Sequence, residues 1–192
     1  MTGLRSPGLW LFSGSMLMLL SVNLAEFLYK GYSVSENYIS DLGVGPTPSR
    51  VIFTAAIILF GLMALVSSLL MRSSHPSSYM WLMLAASGIG AIGVGTINED
   101  SIPTVHATFA AMAFLFANLA AVYSYRIVRS PLSYIFVLLG TTGLAALALV
   151  AANTYLGIGA GGMERMTFYP AMIWTLGFGA YLMGEEGKST SG

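Results

Sequence analysis

Six apolar stretches, each about as long as a membrane-spanning helix, occupy most of this 192-residue chain. A helix needs about 20 mostly apolar residues to cross the hydrocarbon core of a bilayer. The stretches fall at residues 7–29, 51–71, 79–97, 105–127, 132–155 and 166–183. They predict an all-α integral membrane protein with a bundle of six transmembrane helices. A single transmembrane domain would cover residues 1–184, and a disordered polar tail would follow at 185–192.

The composition indicates lipid as the main solvent of the chain. Its residues are 56% hydrophobic and 8% charged, whereas ordinary globular domains are about 45–50% apolar and about 25% charged. Eight basic and eight acidic residues cancel, which argues against nucleic acid as a partner. The chain has no cysteine, so disulfides, thiolate nucleophiles and cysteine-ligated metals are excluded. Membrane lipid remains the expected partner.

The basic residues predict the orientation, because lysine and arginine are enriched in cytoplasmic loops. Five of them lie on the side of the two termini and three on the opposite side. The first group is Arg5, Arg72, Arg126, Arg129 and Lys188, and the second is Lys30, Arg50 and Arg165. We therefore expect a multi-pass protein of the cell membrane with both termini in the cytoplasm.

The acidic residues collect on the predicted outer side. The three connectors there contain Glu36, Asp41, Glu99, Asp100 and Glu164. Glu26 lies about one helical turn below that surface, and the inner side has Glu185 and Glu186. This distribution predicts a polar pocket at the outer mouth of the bundle.

The end of the first stretch, "NLAEFLYK", places Asn23, Glu26 and Lys30 on one helical face. A carboxylate at the bilayer centre costs about 2.5–3.5 kcal/mol, so Glu26 should face the bundle, with Lys30 as its nearest candidate partner. Two interpretations stay open. Either Glu26 and Lys30 form a self-contained interfacial pair, or Glu26 is a carboxylate with a tuned pKa at the floor of a cavity.

The segment "NEDSIPTVH" places His106 within the first turns of the fourth stretch. A helix N-terminus favours neutral imidazole, which can act as a base or a metal ligand, and Glu99 and Asp100 are near enough in sequence to orient it. His106 and Asp100 are candidate ligands for one divalent metal ion, although no HExxH pattern supports zinc. A structural histidine, a general base and a metal ligand all remain open.

The third outer connector, "GIGAGGMERMTFYP", places Arg165 four residues before Tyr169, so both should point the same way. The guanidinium of Arg165 is a candidate clamp for a lipid phosphate or a substrate carboxylate. The alternative is an interfacial pair between Arg165 and Glu164 beside a tyrosine at the membrane surface.

The first outer connector, "ENYISDLGVGPTPSR", contains Asn37, Ser40 and Asp41 among apolar residues such as Ile39 and Leu42. These apolar residues predict that the connector folds back as a lid over the cavity. Ser40 with His106 as its base would make a nucleophile, but no GxSxG motif surrounds it.

Three short motifs together resemble the uncharacterised six-span membrane proteins of domain-of-unknown-function family 998. They are "NYISDLG", "NED…P…H" and "ER…YP", and the most specific part is "ISDLG" at residues 39–43. The motifs fall here on Asn37, Ser40, Asp41, Asp100, His106, Glu164, Arg165 and Tyr169. The family is distantly similar to Frag1/DRAM-type proteins, which are associated with lipid handling. The resemblance implies the architecture and no particular activity.

The leading hypothesis is an outer-facing pocket that binds or processes a lipid or another small amphiphile. In it Arg165 and Lys30 hold an anionic headgroup, with Asn37, Ser40 and Tyr169 beside them. The polar centre consists of Glu26, Asp41, Asp100 and His106. A membrane-embedded hydrolase or transferase would use a general base or one divalent metal ion.

Two other functions remain open at this stage. An acid within a span also suits a proton- or cation-coupled transporter of small molecules. The chain is alternatively a structural subunit of a membrane complex, in which the acids form an interface. Its oligomeric state and protein partners are left open.

Overall fold

A computed structural model describes residues 3–74 and 78–190, with side chains described as far as Gly187. These residues form six α-helices and no strand. The helices are α1 Pro7–Leu28, α2 Pro48–Ser74, α3 Met80–Thr96, α4 Pro103–Tyr123, α5 Leu132–Ala151 and α6 Gly159–Thr190. The all-α prediction is confirmed, and the helices match the six apolar stretches in number and order.

Four helical segments are long and apolar enough to cross a membrane: Pro7–Leu28, Pro48–Ser74, Pro103–Arg126 and Leu132–Ala151. The third helix, Met80–Thr96, is apolar but shorter. Several helices of this length and composition indicate a membrane protein.

The largest difference from the prediction is the length of α6, which extends beyond the expected residues 166–183 at both ends. It begins at Gly159, so Glu164 and Arg165 lie on a helix and not in a connector. It also continues to Thr190, through most of the segment expected to be a disordered tail. Glutamate and lysine are good helix formers, and extending an existing helix costs little. Residues 191–192 lie outside the described part.

The fifth helix is shorter than its apolar stretch, ending at Ala151 instead of near residue 155. Two residues just beyond it, Asn153 and Leu156, have positive φ angles of 51° and 49°. That backbone conformation is incompatible with a continued right-handed helix. The chain therefore turns here to reach α6.

The helices form a closed ring. Each packs against its neighbours in sequence, α6 packs on α1 to close the ring, and α4 also contacts α6. A glycine-rich face of α3 permits close approaches to its neighbours, as its sequence predicts. A Cβ on Gly90 would lie 2.6 Å from the backbone N of Ala113 on α4. Asn118 of α4 links to α6 by donating from Nδ2 to Thr167 O at 3.3 Å.

Three connectors lie at one end of the ring, which we call the site end. They are residues 29–47 between α1 and α2, 97–102 between α3 and α4, and 152–158 between α5 and α6. The first folds back onto the bundle, where Ile39 and Leu42 are 3% and 0% exposed and belong to the core. This is the lid that its apolar residues predict.

Candidate functional site

The three connectors of the site end contact one another through polar side chains. Ser40 Oγ of the first connector donates to Glu99 Oε2 of the second at 2.9 Å. The hydroxyls of Tyr38 and Tyr155 join the first connector to the third at 3.1 Å. Polar residues that are far apart in sequence are therefore brought together at this end of the bundle.

The start of α6 holds the lid in place. The backbone N–H of Gly161 donates to Ser35 O at 2.9 Å, which satisfies one of the free donors that every helix N-terminus has. A Cβ on Gly161 would lie 2.0 Å from Asn37 O, so only glycine allows this approach. One turn along, the carboxylate of Glu164 accepts a hydrogen bond from the backbone N–H of Ile39.

Arg165 is buried beneath the lid, with 5% of its surface exposed. Its Nη2 donates to Glu26 Oε1 at 2.5 Å and to the hydroxyl of Tyr32 at 2.7 Å. Its Nη1 donates to the carbonyl oxygens of Val34, Asn37 and Gly161, at 2.9, 3.1 and 3.0 Å. We call Glu26, Tyr32 and Arg165 the arginine cluster. It ties α1, the lid and α6 together.

Tyr32 is a neutral member of this cluster. Burial raises the pKa of its hydroxyl to about 12, against the opposing effect of Arg165. The hydroxyl accepts from Arg165 and donates to Tyr38 O at 2.8 Å. Tyr32 therefore links Arg165 to the backbone of Tyr38 in the lid.

These contacts give Arg165 partners within the protein, where the sequence predicts a clamp for an anion. Both of its Nη groups are already bonded within the protein, and its Nε is buried without a partner among the described residues. Lys30 is exposed and is not the partner of Glu26. Tyr169 packs against the ring of Phe168, with centroids 5.4 Å apart, and against the core. Binding of an anion by these three residues stays a prediction.

Two other predicted residues also have different places. Asp41 accepts at Oδ2 from Asn37 Nδ2 and from the backbone N–H of Tyr38, both at 3.0 Å, so Asp41 and Asn37 shape the turn of the lid. Asp100 is exposed and is not part of the pocket wall described next. The polar centre expected from Glu26, Asp41, Asp100 and His106 is thus divided.

A pocket of about 400 Å³ lies at the site end between α4, α5 and α6. We call it the site-end pocket. Its polar wall consists of Tyr38, Ser40, Glu99, His106, Glu164 and Thr167. Its apolar wall consists of Ala107, Ala110, Ala111, Phe114, Leu147, Val150 and Ala151. Its volume is within the range of small-molecule pockets, about 300–1,000 Å³.

His106, which lines this pocket, has one ring nitrogen without a hydrogen-bond partner among the described residues. The residue is 5% exposed, and its Nδ1 lies 2.7 Å from Ile97 O. A carbonyl oxygen can only accept, so Nδ1 carries the proton in the neutral ring and Nε2 carries the lone pair. Nε2 is buried and has no partner among the described residues. His106 is thus a residue of the pocket wall with one ring nitrogen that has no protein partner in the described part of the chain.

Thr167, three residues after Glu164 on α6, adds a second polar group without a partner. It is 0% exposed, and its Oγ1 is buried with no hydrogen-bond partner in the described part of the chain. Buried polar groups are nearly always paired. His106 and Thr167 both belong to the wall of the site-end pocket.

Glu164 lies in the first turns of α6, before its apolar stretch of residues 166–183. Burial raises the pKa of its carboxyl to about 7, opposed by the hydrogen bond from Ile39 and by the charge of Arg165. The nearby charges of Glu99 and Asp41 raise it further. The polar wall is therefore acidic, with one carboxyl that titrates near neutrality.

A family model described as "Protein of unknown function (DUF998)" matches residues 12–181, which include α2 to α5, most of α1 and α6, and every residue of the site-end pocket. The chain belongs to the DUF998 family. Comparison with curated proteins and with solved structures gives no match.

A metal centre is not evident in this DUF998 chain. Within residues 3–74 and 78–190, no group of three or more histidine, aspartate or glutamate side chains is placed to hold a metal ion. Asp100 is exposed, and His106 uses Nδ1 for Ile97 O. The two residues predicted as ligands do not make such a group.

Of the predicted site residues, the structure places Ser40 and His106 in the site-end pocket of this DUF998 protein. It also places there Glu99 and Glu164, which sequence analysis counted among the acids of the outer connectors, and Thr167, which sequence analysis did not assign to the site. Glu164 and Thr167 are three residues apart and so share a helical face. The three-residue spacing is visible in the sequence, but it places both residues on one helical face only if α6 begins before Glu164.

Proposed function

We propose that this protein is a six-span membrane protein whose site-end pocket binds a small amphiphile. The polar part of the ligand lies against Ser40, Glu99 and His106, and its hydrocarbon part lies against the apolar wall of α4 and α5. One observation carries the proposal: a single pocket combines an apolar wall with a polar wall that includes His106, whose Nε2 is buried and unpaired.

The packing of α4 and α5 supports entry from the bilayer. Away from the site end these helices touch closely, and a Cβ on Gly140 would lie 2.6 Å from Asn118 O. Toward the site end the pocket lies between them, and Ala107, Ala111 and Ala151 on its wall are exposed. In a membrane-spanning bundle these residues face lipid. The pocket would therefore open sideways, and an amphiphile need not leave the bilayer to enter.

In this proposal α3 and α6 complete the six spans, the site end faces outward and both termini are cytoplasmic. The closed ring supports the six-span count, because α6 packs along both α1 and α5. The five-to-three distribution of basic residues supports the orientation. The similarity to Frag1/DRAM-type proteins, which are associated with lipid handling, agrees with the ligand class and remains a prediction.

The arrangement also supports chemistry assisted by a base. His106 Nε2 can accept a proton from a hydroxyl group or a water molecule in the pocket. Ser40, whose hydroxyl donates to Glu99, lines the same pocket. Hydrolysis or group transfer on the bound amphiphile is therefore the reaction class to test once a ligand is known.

The geometry supports transport less well than it supports binding of an amphiphile. A second cavity continues from the site-end pocket into the bundle, but its volume is only about 40 Å³. Its walls are mostly apolar, including Met18, Phe53 and Phe60. Ions and protons need polar groups or water along their path. The larger, laterally exposed pocket supports binding from the bilayer more directly.

Native mass spectrometry of the purified protein tests the proposal. We expect the wild type to retain an amphiphile and Ala111→Phe, which fills the pocket, to lose it. Ala145→Phe is the matched control, because Ala145 is equally exposed but lies outside the pocket. A ligand kept by Ala111→Phe, or none bound by wild type even after incubation with native lipid extract, would overturn the proposal.

A further inference from the structure

The polar wall of the site-end pocket is rich in hydrogen-bond acceptors. Glu99 and Glu164 contribute carboxylates, and His106 contributes the lone pair of Nε2. The hydroxyl hydrogen of Ser40 is already donated to Glu99. The unpaired hydroxyl of Thr167 can donate or accept, whereas Glu99, Glu164 and Nε2 of His106 can only accept and are satisfied by a ligand that brings donors.

The pocket is also acidic. Among the residues that the structure describes, no lysine or arginine lines it. Arg165 follows Glu164 in the sequence, but its Nη groups are bonded to Glu26, Tyr32 and backbone carbonyls. A phosphate or carboxylate headgroup would meet two acids with no cation between them, and like charges repel. This reverses the anionic headgroup that the sequence suggests.

We propose that the ligand of the site-end pocket is an amphiphile with an amine headgroup, bound as its ammonium ion. An alkylammonium has three N–H donors and one positive charge. The wall offers three acceptors, the carboxylates of Glu99 and Glu164 and the unpaired Nε2 of His106. The alkyl chain follows the apolar wall and leaves through the opening between α4 and α5. This inference rests on the proposed function and names its ligand class.

Three probes with the same chain length test the inference: dodecylamine, dodecanol and dodecanoic acid. Binding is measured on the full-length protein in phosphatidylcholine nanodiscs at about pH 8, where the amine is charged. Nanodiscs that contain the Ala111→Phe variant are the reference, because they measure how much of each probe partitions into the lipid without entering the pocket. We expect pocket-dependent binding of the amine to be about ten-fold or more tighter than that of the alcohol, since charge-assisted hydrogen bonds are about twice as strong as neutral ones. The acid should show no pocket-dependent binding.

Glutamine variants test whether Glu99 and Glu164 bind the ammonium group. Glu99→Gln and Glu164→Gln should each weaken amine binding by about ten-fold and change dodecanol binding far less. Both keep an acceptor oxygen for Ser40 or Ile39, and circular dichroism melting verifies that they fold. Glu36→Gln is the control, because Glu36 is an exposed acid of the same lid that does not line the pocket.

The outcomes separate this inference from the proposed function. If the alcohol or the acid binds as tightly as the amine and Ala111→Phe removes that binding, the ammonium inference fails and the amphiphile site stands. Equal amine affinity in Glu99→Gln, Glu164→Gln and wild type would also overturn the inference. If none of the three probes binds in a pocket-dependent way and no native amphiphile is retained, both fail.

Discussion

Arg165 of α6 and Glu26 of α1 form an ion pair at 2.5 Å, although 139 positions separate them in the chain. Both side chains are largely buried, with 6% and 17% of their surface exposed. The same guanidinium also bonds to Tyr32 and to carbonyl oxygens of the lid. The pair therefore fixes the lid relative to the bundle, and the site-end pocket depends on it indirectly.

Arg165→Met should strongly destabilise the protein. It leaves the Glu26 carboxylate buried without its partner and removes three bonds to backbone carbonyls. Breaking a buried ion pair on one side costs about 3–5 kcal/mol. Thermal melting in detergent, followed by circular dichroism, should show a melting temperature lower by several degrees.

Lys30→Met is the control for this experiment. Lys30 is an exposed cation near the same cluster, so its loss should leave the melting temperature nearly unchanged. The double variant Glu26→Gln/Arg165→Met should lose less stability than the sum of the single variants, because the two residues interact directly. Additive losses would contradict the pairing.

Gly161→Ala should lift the lid. The added Cβ would lie 2.0 Å from Asn37 O, and the backbone must move to accommodate it. The natural chain has no cysteine, so a single Ile39→Cys reports on lid position through its reaction with a maleimide. We expect this buried site to label several times faster when Gly161→Ala is added.

Gly162→Ala is the matched control for the lid. Its Cβ would meet the side chain of Ile158 at 3.2 Å and no lid backbone. Alanine also favours a helix by about 1 kcal/mol over glycine. Labelling of Ile39→Cys should then stay slow, and equally fast labelling with both alanine variants would argue against a steric role for Gly161.

The stability of the protein should depend on the ionisation of Glu164. Its pKa is raised in the folded state to about 7 from an ordinary 4.5, so folding favours the protonated form. Its stabilising contribution is present in full below pH 4.5 and decreases as the pH rises toward 7. The melting temperature of wild type relative to Glu164→Gln should therefore fall across this window.

Other charged groups near Glu164 also affect its pKa, and one of them, Asp41, provides a control. Glu99 and Asp41 raise its pKa, whereas Arg165 lowers it. Asp41→Asn should consequently keep the same sign of pH dependence with a somewhat lower midpoint. A difference between wild type and Glu164→Gln that stays constant from about pH 4 to pH 8 would show that Glu164 keeps its ordinary pKa.

Cysteine labelling tests the orientation of the bundle and the membrane crossing of α2. Ser35 of the lid and Ser73 near the end of α2 are both exposed and lie at opposite ends of the bundle. A membrane-impermeant maleimide should label Ser35→Cys in intact cells, and Ser73→Cys only after permeabilisation. The reverse pattern would place the site end in the cytoplasm, and labelling of both in intact cells would contradict the topology.

Much of the fold follows from the sequence, because lipid and water impose simple requirements on a chain. Long apolar stretches predict the helices, and the apolar Ile39 and Leu42 predict a folded lid. The glycine-rich face of α3 predicts close helix packing, which the approach of Gly90 to Ala113 confirms. These features depend on composition and local spacing.

The pairing of polar residues could not be predicted from the sequence, because it depends on how distant segments pack. Local spacing favours Lys30 as the partner of Glu26, whereas the bundle brings in Arg165 from α6. The glycines before Glu164 argue against a helix, but Ser35 O binds the N–H of Gly161 and supports an earlier helix start. That shift turns Arg165 inward and leaves Glu164 at the pocket.

Photo-crosslinking tests the central claim most directly. An alkyl amphiphile with a diazirine in its chain is bound to the wild type and to Ala111→Phe, irradiated, and located by peptide mass spectrometry. The account predicts that modification concentrates in residues 107–114 and 147–151 of the wild type and disappears there in Ala111→Phe. Modification spread evenly over lipid-facing residues such as Leu20 and Leu138, and unchanged by Ala111→Phe, would contradict it.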